Sequence, residues 1–322
     1  MGASAPANAK AKFTMFDPPG SVSTMALGIN DHGSIAGYYE GGDALDHGFV
    51  RAADGTITTF DAPGAAFGTF ASAINTAGTI AGTYTDSDGT EHGFVRTSDG
   101  TFTTFEVSGA GTGDYKGTLS CAINPKGKIA GYYIDSNDKS HGFVRAANGS
   151  ISKVDVPGDV NGTRVLAIGY TASSAGTYET GDGKVHGFVR DFFGTITTFD
   201  VAGDKYGTYP VGIDDSDNVT GYYTTANSKD HGFVRASDGT ITTFDVPGDP
   251  GGTTPSAMNA DGTITGSYYD NIGVGGFVRA FDGTITKFRV PGDHVDTTPE
   301  AINDKGAVTG FSLGQHGFVR SP

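Results

Sequence analysis

Residues 291–303 read PGDHVDTTPEAIN, and residues 247–259 read PGDPGGTTPSAMN. The two stretches are copies of one motif, yet the later one holds His294, Asp296 and Glu300 where the earlier holds Pro250, Gly252 and Ser256. With Asp293, which other copies share as Asp159, Asp204 and Asp249, the stretch gathers an imidazole and three carboxylates. Imidazole nitrogen and carboxylate oxygen can ligate a divalent cation, and the candidate ligands are Asp293, His294 and Asp296. The same residue types make a base and an acid, so His294 and Glu300, with Asp296, also fit proton transfer. The competing explanation is drift on a solvent-exposed loop. What the motif does depends on the elements that position it.

Those elements are strands. The 322 residues include 52 glycines, about double the usual share, but 21 Phe and 14 Tyr supply a core. No apolar run approaches the roughly 20 residues of a membrane helix. Net charge is −15 and Lys and Arg are not clustered, which argues against nucleic acid and anionic membranes as partners. A single cysteine, Cys121, excludes an internal disulfide framework and reads as a small buried residue. The opening 1–12, MGASAPANAKAK, lacks the apolar segment of a signal peptide and reads as a short flexible leader.

The segment His-Gly-Phe-Val-Arg begins at His47, His92, His141, His186, His231 and His316, with a degenerate copy at Gly275. Each repeat contains four short runs rich in β-branched and aromatic residues, separated by Gly, Asp and Asn turns. Four strands per repeat of roughly 40–50 residues is the pattern of a propeller blade. The expectation is an all-β fold: one seven-bladed β-propeller over 13–322, with four antiparallel strands per blade. Asp-Gly or Asn-Gly pairs such as Asp54-Gly55 and Asn148-Gly149 follow HGFVR and predict hairpins. Pairing across them sets each histidine beside a carboxylate: His47 with Asp61, His92 with Glu106, His141 with Asp155, His186 with Asp200 and His231 with Asp245. Where the histidine is lost, at Gly275, the partner becomes Arg289. His316 has no strand after it, so the segment FTMFD at 13–17 is expected to complete the last blade and bring Asp17 to His316.

The unit GIN-x-x-G-x-I-A-G-Y-…-HGFVR-x-x-DG, repeated over about residues 13–320, resembles the HAF-type extracellular repeat of bacteria, with HGF in place of HAF. The resemblance implies an exported, secreted or periplasmic, propeller-like protein of bacterial origin. It carries no catalytic residue over to this chain.

Residues present in every blade read as scaffold, so a single site belongs where the blades differ. The first residue after the Thr of each Gly-Thr, which is Ser-Thr in the first copy and Asp-Thr in the last, is Met25, Phe70, Leu119, Arg164, Tyr209, Thr254 or Thr298. Two residues on, the series is Leu27, Ser72, Cys121, Leu166, Val211, Ser256 and Glu300. Both series are expected at a funnel mouth, with Arg164 and Glu300 on opposite sides. Tyr115 and Lys116, on a longer loop of blade three, are expected at the same rim.

Three functions fit this pattern. One is an enzyme, a hydrolase or lyase acting on a small molecule or glycan at the funnel. Its catalytic residues would be His294, Glu300, Asp296 and Tyr209, and Arg164, Phe70, Met25, Tyr115 and Lys116 would bind substrate. Another is a lectin-like protein with a carbohydrate site between each pair of blades, using the PGD loops and tyrosines. The third is a non-catalytic interaction scaffold. A monomer is expected in each case, and a divalent cation is the one cofactor the sequence suggests.

Overall fold

The computed structural model describes residues 11–292, 296–312 and 315–322. Asp293 and His294, and all but the last two residues of the expected leader, lie outside the described residues. No helix occurs among the described residues, and so none is long and apolar enough to cross a membrane. The described residues form 28 strands that pair antiparallel in sets of four. In the first complete set, β2 (Ser21–Ile29) pairs with β3 (Ile35–Gly41), β3 with β4 (Asp46–Arg51), and β4 with β5 (Ile57–Phe60). We number these four-stranded units one to seven in chain order. Unit seven holds three strands from the end of the chain and one from its start, β1 (Phe13–Phe16), which pairs with Gly317–Arg320. The predicted completion of the last unit by the first strand is therefore present.

Each innermost strand carries a β-bulge at the same place. In unit one the register slips between Ala26 and Gly28, leaving Leu27 without a partner. The residue skipped in the other units is Ser72, Cys121, Leu166, Val211, Ser256 or Glu300. A bulge residue leaves the ladder and its side chain is re-aimed. The second variable series of the sequence is therefore the series of bulge residues.

Opposite each bulge stands a glycine. A Cβ on Gly131 would lie 2.1 Å from the Leu119 carbonyl oxygen, and on Gly176 it would lie 1.9 Å from that of Arg164. The carbonyl that turns at the bulge passes so close to the neighbouring strand that only hydrogen fits there. This gives the Gly of the IAGYY segment a steric reason to recur.

The units are joined by apolar contacts between neighbours. The Phe of every HGFVR copy, from Phe49 to Phe318, is 0 % exposed. Seven apolar clusters each straddle two adjacent units, and one joins Ala301, Ala307 and Val319 of unit seven to Ala26, Ile29 and Phe49 of unit one. The Arg ending HGFVR reaches across the same boundary: Arg96 lies over Phe60 at 4.5 Å and Arg320 over Phe288 at 5.0 Å. Such contacts add about 0.5–1 kcal/mol or more where partly desolvated.

The Asn of the AIN turn bonds through both ends of its side-chain amide. Asn124 Oδ1 accepts from the Lys126 and Lys128 amides, as expected of a turn residue. Its Nδ2 also donates to the Gly169 carbonyl of the next unit at 3.0 Å. Asn30 donates to the Asn75 carbonyl and Asn303 to the Asn30 carbonyl, which links the last unit to the first. The relay is missing where Gly169 and Asp214 replace Asn, since neither offers an amide donor.

Gly131→Ala should destabilise the fold by about 3 kcal/mol through backbone overpacking. Gly42→Ala, at a site with nothing within 4 Å, should be nearly silent. Urea unfolding monitored by far-UV circular dichroism compares the two.

Candidate functional site

The bulge residues surround a cavity of about 640 Å³ in the middle of the unit array, and Leu27, Ser72, Cys121, Leu166, Val211, Ser256 and Glu300 all line it. Below them lies a girdle of Ile29, Ile74, Ile123, Ile168, Ile213 and Met258, shared with a smaller cavity of about 190 Å³ on the opposite side. The site is a funnel with variable walls and an apolar floor. Such a concavity with a few placed polar groups suits a small molecule.

Glu300 is the notable group in this wall. Burial pushes its carboxyl up to about 7, so near neutrality it holds its proton about half the time. No hydrogen bond or ion pair to it occurs among those of the described residues. Cys121 lines the same cavity, and burial pushes its thiol up to about 12. The thiol therefore stays protonated and is not an activated nucleophile.

The remaining predicted residues are dispersed. Phe70 lines the cavity and meets Tyr38 edge-on at 5.0 Å. Met25 pairs opposite Tyr38 and is half-buried, but is not among the residues lining the cavity. Arg164 leans toward unit three: its Nε donates to Ser140 Oγ at 3.2 Å and its guanidinium lies 5.1 Å from the Tyr132 ring. Arg164 is not among the residues lining the cavity, whereas Glu300 is. Tyr209 stacks on Tyr222 at 4.8 Å, and burial first, then Asp230, raises its phenol, which disfavours a role as base. Lys116 Nζ pairs with Asp138 at 3.1 Å, and Tyr115 is 84 % exposed beside it. Asp296 accepts a hydrogen bond from the Val274 amide of unit six, which occupies it in joining two units. Among the described residues no group of three His, Cys, Asp or Glu could hold a metal ion, and Asp293 and His294 fall outside them. Asp86, at the start of the DSDG run, accepts from the Asp88 and Thr90 amides and from His92.

Two groups of the cavity wall escaped the sequence reading. Glu91 and Tyr132 both line it, and burial raises the pKa of each. A signal existed for Glu91: the residue before each HGFVR histidine varies as freely as the bulge series, with Asp46, Ser140, Val185 and Asp230 at that place.

The repeated histidines sit on the third strand of each unit, away from the cavity, with the partners the sequence predicts. His47 Nδ1 bonds Asp61 at 2.8 Å, His141 bonds Asp155 at 3.0 Å, His231 bonds Asp245 at 2.8 Å and His316 bonds Asp17 at 2.7 Å. His92 bonds Glu106, and His186 bonds Asp200 at 2.9 Å. Arg289, at the place without histidine, pairs with Asp270 at 2.7 Å and bonds the Val274 carbonyl. The second Tyr of GYY stacks on the histidine of its own unit, as Tyr133 does on His141 at 4.9 Å.

No protein-family profile matches the chain, and no curated protein matches it. Among solved structures, a catalytically inactive variant of virginiamycin B lyase from Staphylococcus aureus, with quinupristin, aligns at 14 % identity. The alignment covers 97 % of this chain and 100 % of that one, with a TM-score of 0.64. A streptogramin B lyase aligns at 14 % identity over 97 % of both chains, with a TM-score of 0.63. TolB from Acinetobacter baumannii aligns at 11 % identity over 86 % of this chain and 76 % of that one, with a TM-score of 0.50. These are β-propeller-like repeat proteins, and at such identities the likeness is one of fold.

His47 and His92 each lie between two carboxylates. Partial burial works to lower the imidazolium pKa, but the hydrogen bonds to Asp61 and Asp43, or to Asp86 and Glu106, outweigh it and raise the value. With folded values above the unfolded 6.5, their stabilisation is full below about pH 6.5 and is lost as pH rises through the folded pKa. Thermal unfolding should show wild type losing stability between pH 6 and 9. In His47→Gln/His92→Gln the loss should be smaller.

Proposed function

We propose that the seven units close into a seven-bladed propeller whose funnel binds a small molecule, and that Glu300 exchanges a proton with it. Closure is supported by the pairing of Phe13–Phe16 with the last strand, the Asn303 bond to the Asn30 carbonyl and the apolar cluster shared by units seven and one. The observation that carries the functional reading is the buried carboxyl of Glu300 on a bulge in an otherwise mostly apolar wall. A carboxyl that titrates near 7 can serve as acid or base at physiological pH. Lyase or hydrolase chemistry follows from that, and a fold neighbour named as a lyase makes the scaffold compatible with it.

An apolar molecule with few polar groups fits this wall better than a glycan. A sugar brings many hydroxyls, and the wall answers with a few Ser and Thr hydroxyls, two carboxylates and Tyr132. The lectin-like alternative has less to draw on, because the PGD carboxylates are already engaged. Asp159 pairs with Lys139 at 2.8 Å and Asp204 with Lys184 at 2.6 Å, while Asp249 accepts from Thr253. The scaffold alternative keeps one specific observation: Phe192 and Phe193 replace the usual polar turn of unit four, and Phe193 is 89 % exposed.

A calorimetric screen of small apolar molecules, organic acids, sugars and uronates should give a hit that is lost in Leu166→Arg, which fills the funnel. Any turnover of that hit should show a pH-profile bend near 7 that disappears in Glu300→Gln. A hit indifferent to Leu166→Arg would move the site out of the funnel.

A further inference from the structure

The charge in the funnel wall has one sign. Glu91 and Glu300 are the only ionisable side chains of Asp, Glu, Lys, Arg or His type among the described residues lining the cavity. They come from units two and seven. Thr85 Oγ1 donates to Glu91 at 3.2 Å, and the imidazole of His92, outside the wall, acts on the same carboxyl. Arg164 lies outside the wall, held by Ser140 Oγ and the Tyr132 ring. Tyr38 of the neighbouring unit one interacts with Glu300, and Tyr132 and Cys121 of unit three line the same cavity; burial keeps all three neutral. Nothing in the wall supplies the positive charge that a desolvated carboxylate calls for.

We infer that the ligand is a cationic amphiphile, an apolar body carrying a protonated amine that pairs with Glu300, with Glu91 adding to the same field. This rests on the reading of the funnel as the binding site. The apolar side chains of the wall and floor would take the body of the molecule, and Phe70 adds an aromatic ring of the kind that attracts cations. An anionic ligand would add a like charge to an acidic cavity. A neutral one would leave both carboxyls unpaired. The net charge of −15 draws cations toward the protein from a distance and repels anions.

The test uses three probes with one apolar body, 4-phenylbutylamine, 4-phenylbutanol and 4-phenylbutyrate, titrated calorimetrically into the full chain. Wild type is compared with Glu300→Gln, Glu91→Gln and Leu166→Arg, and the melting temperature of each variant establishes that it is folded. The amine should bind at least about tenfold tighter than the alcohol, as a charge-assisted hydrogen bond implies, and the acid should bind most weakly. Because the amine needs Glu300 ionised, its affinity should rise about tenfold per pH unit between pH 5.5 and 6.5. In Glu300→Gln the amine should fall to the affinity of the alcohol and the pH slope should flatten. An amine preference that survives both glutamine variants overturns the proposal. So does an acid or alcohol that binds as tightly as the amine; if that binding is lost in Leu166→Arg, the funnel itself stands. If none of the three probes binds, both the amine and the funnel readings fall.

Discussion

A carbonyl oxygen pressed against a glycine recurs in all seven units, and the rest of the molecule is arranged around it. At Gly131 and Gly176 the space for a Cβ is already taken by the opposing carbonyl oxygen. That close approach lets the innermost strand bulge, and the bulge releases one residue from the ladder and turns it into the central space. The released residue pairs with nothing across the sheet, so Leu, Ser, Cys, Val and Glu all occur there. Scaffold and site are thereby separated within a single strand. The flanking positions hold the unit together, and the bulge position sets what the cavity presents.

Between units the cement is layered. A fully buried Phe, a guanidinium over the neighbouring ring and the Asn amide bond occur together at several boundaries, such as that between units two and three. Loss of one layer leaves the others, which is how Gly169 and Asp214 are tolerated in place of Asn. Those two positions are adjacent in the array, and across the boundary after unit four Ser173 Oγ donates to Asp217 instead. Acid residues also collect there: Asp215 is raised by burial first and then by Asp304, Asp214 and Asp261.

The repeat period made much of this legible. A histidine and a carboxylate fourteen residues apart, in hairpin register, identify each other in the sequence, and the lost copy changes both partners at once. The same logic placed Asp17 beside His316 across almost the whole chain. Contacts between units were not legible in this way. The Asn amide bond to the next unit and the course of Arg164 toward Ser140 depend on how two twisted sheets lie against each other, which no spacing encodes. The bulge was hidden for a related reason, since strand alternation assigns residues to faces on the assumption of an unbroken ladder. Glu91 was missed because it sits on a third strand, and only the parallel bridge of that residue to Gly117 brings its carboxyl to the cavity. In the stretch PGDHVDTTPEAIN, Glu300 reaches the funnel and Asp296 serves a neighbouring backbone amide.

The strand that completes unit seven has a mechanical consequence. Phe13 lies opposite Arg320, and the pairing runs inward from there to Phe16 and Gly317. Whatever precedes Phe13 and whatever follows Arg320 therefore leave from the same end of the pair. A load carried between those two ends would open the pairing one residue at a time, as a zipper, instead of shearing all four positions together. A protein tethered through its two ends would yield first at this seam. Freed of the strand, Asp17 would leave His316, and unit seven would be left with three strands.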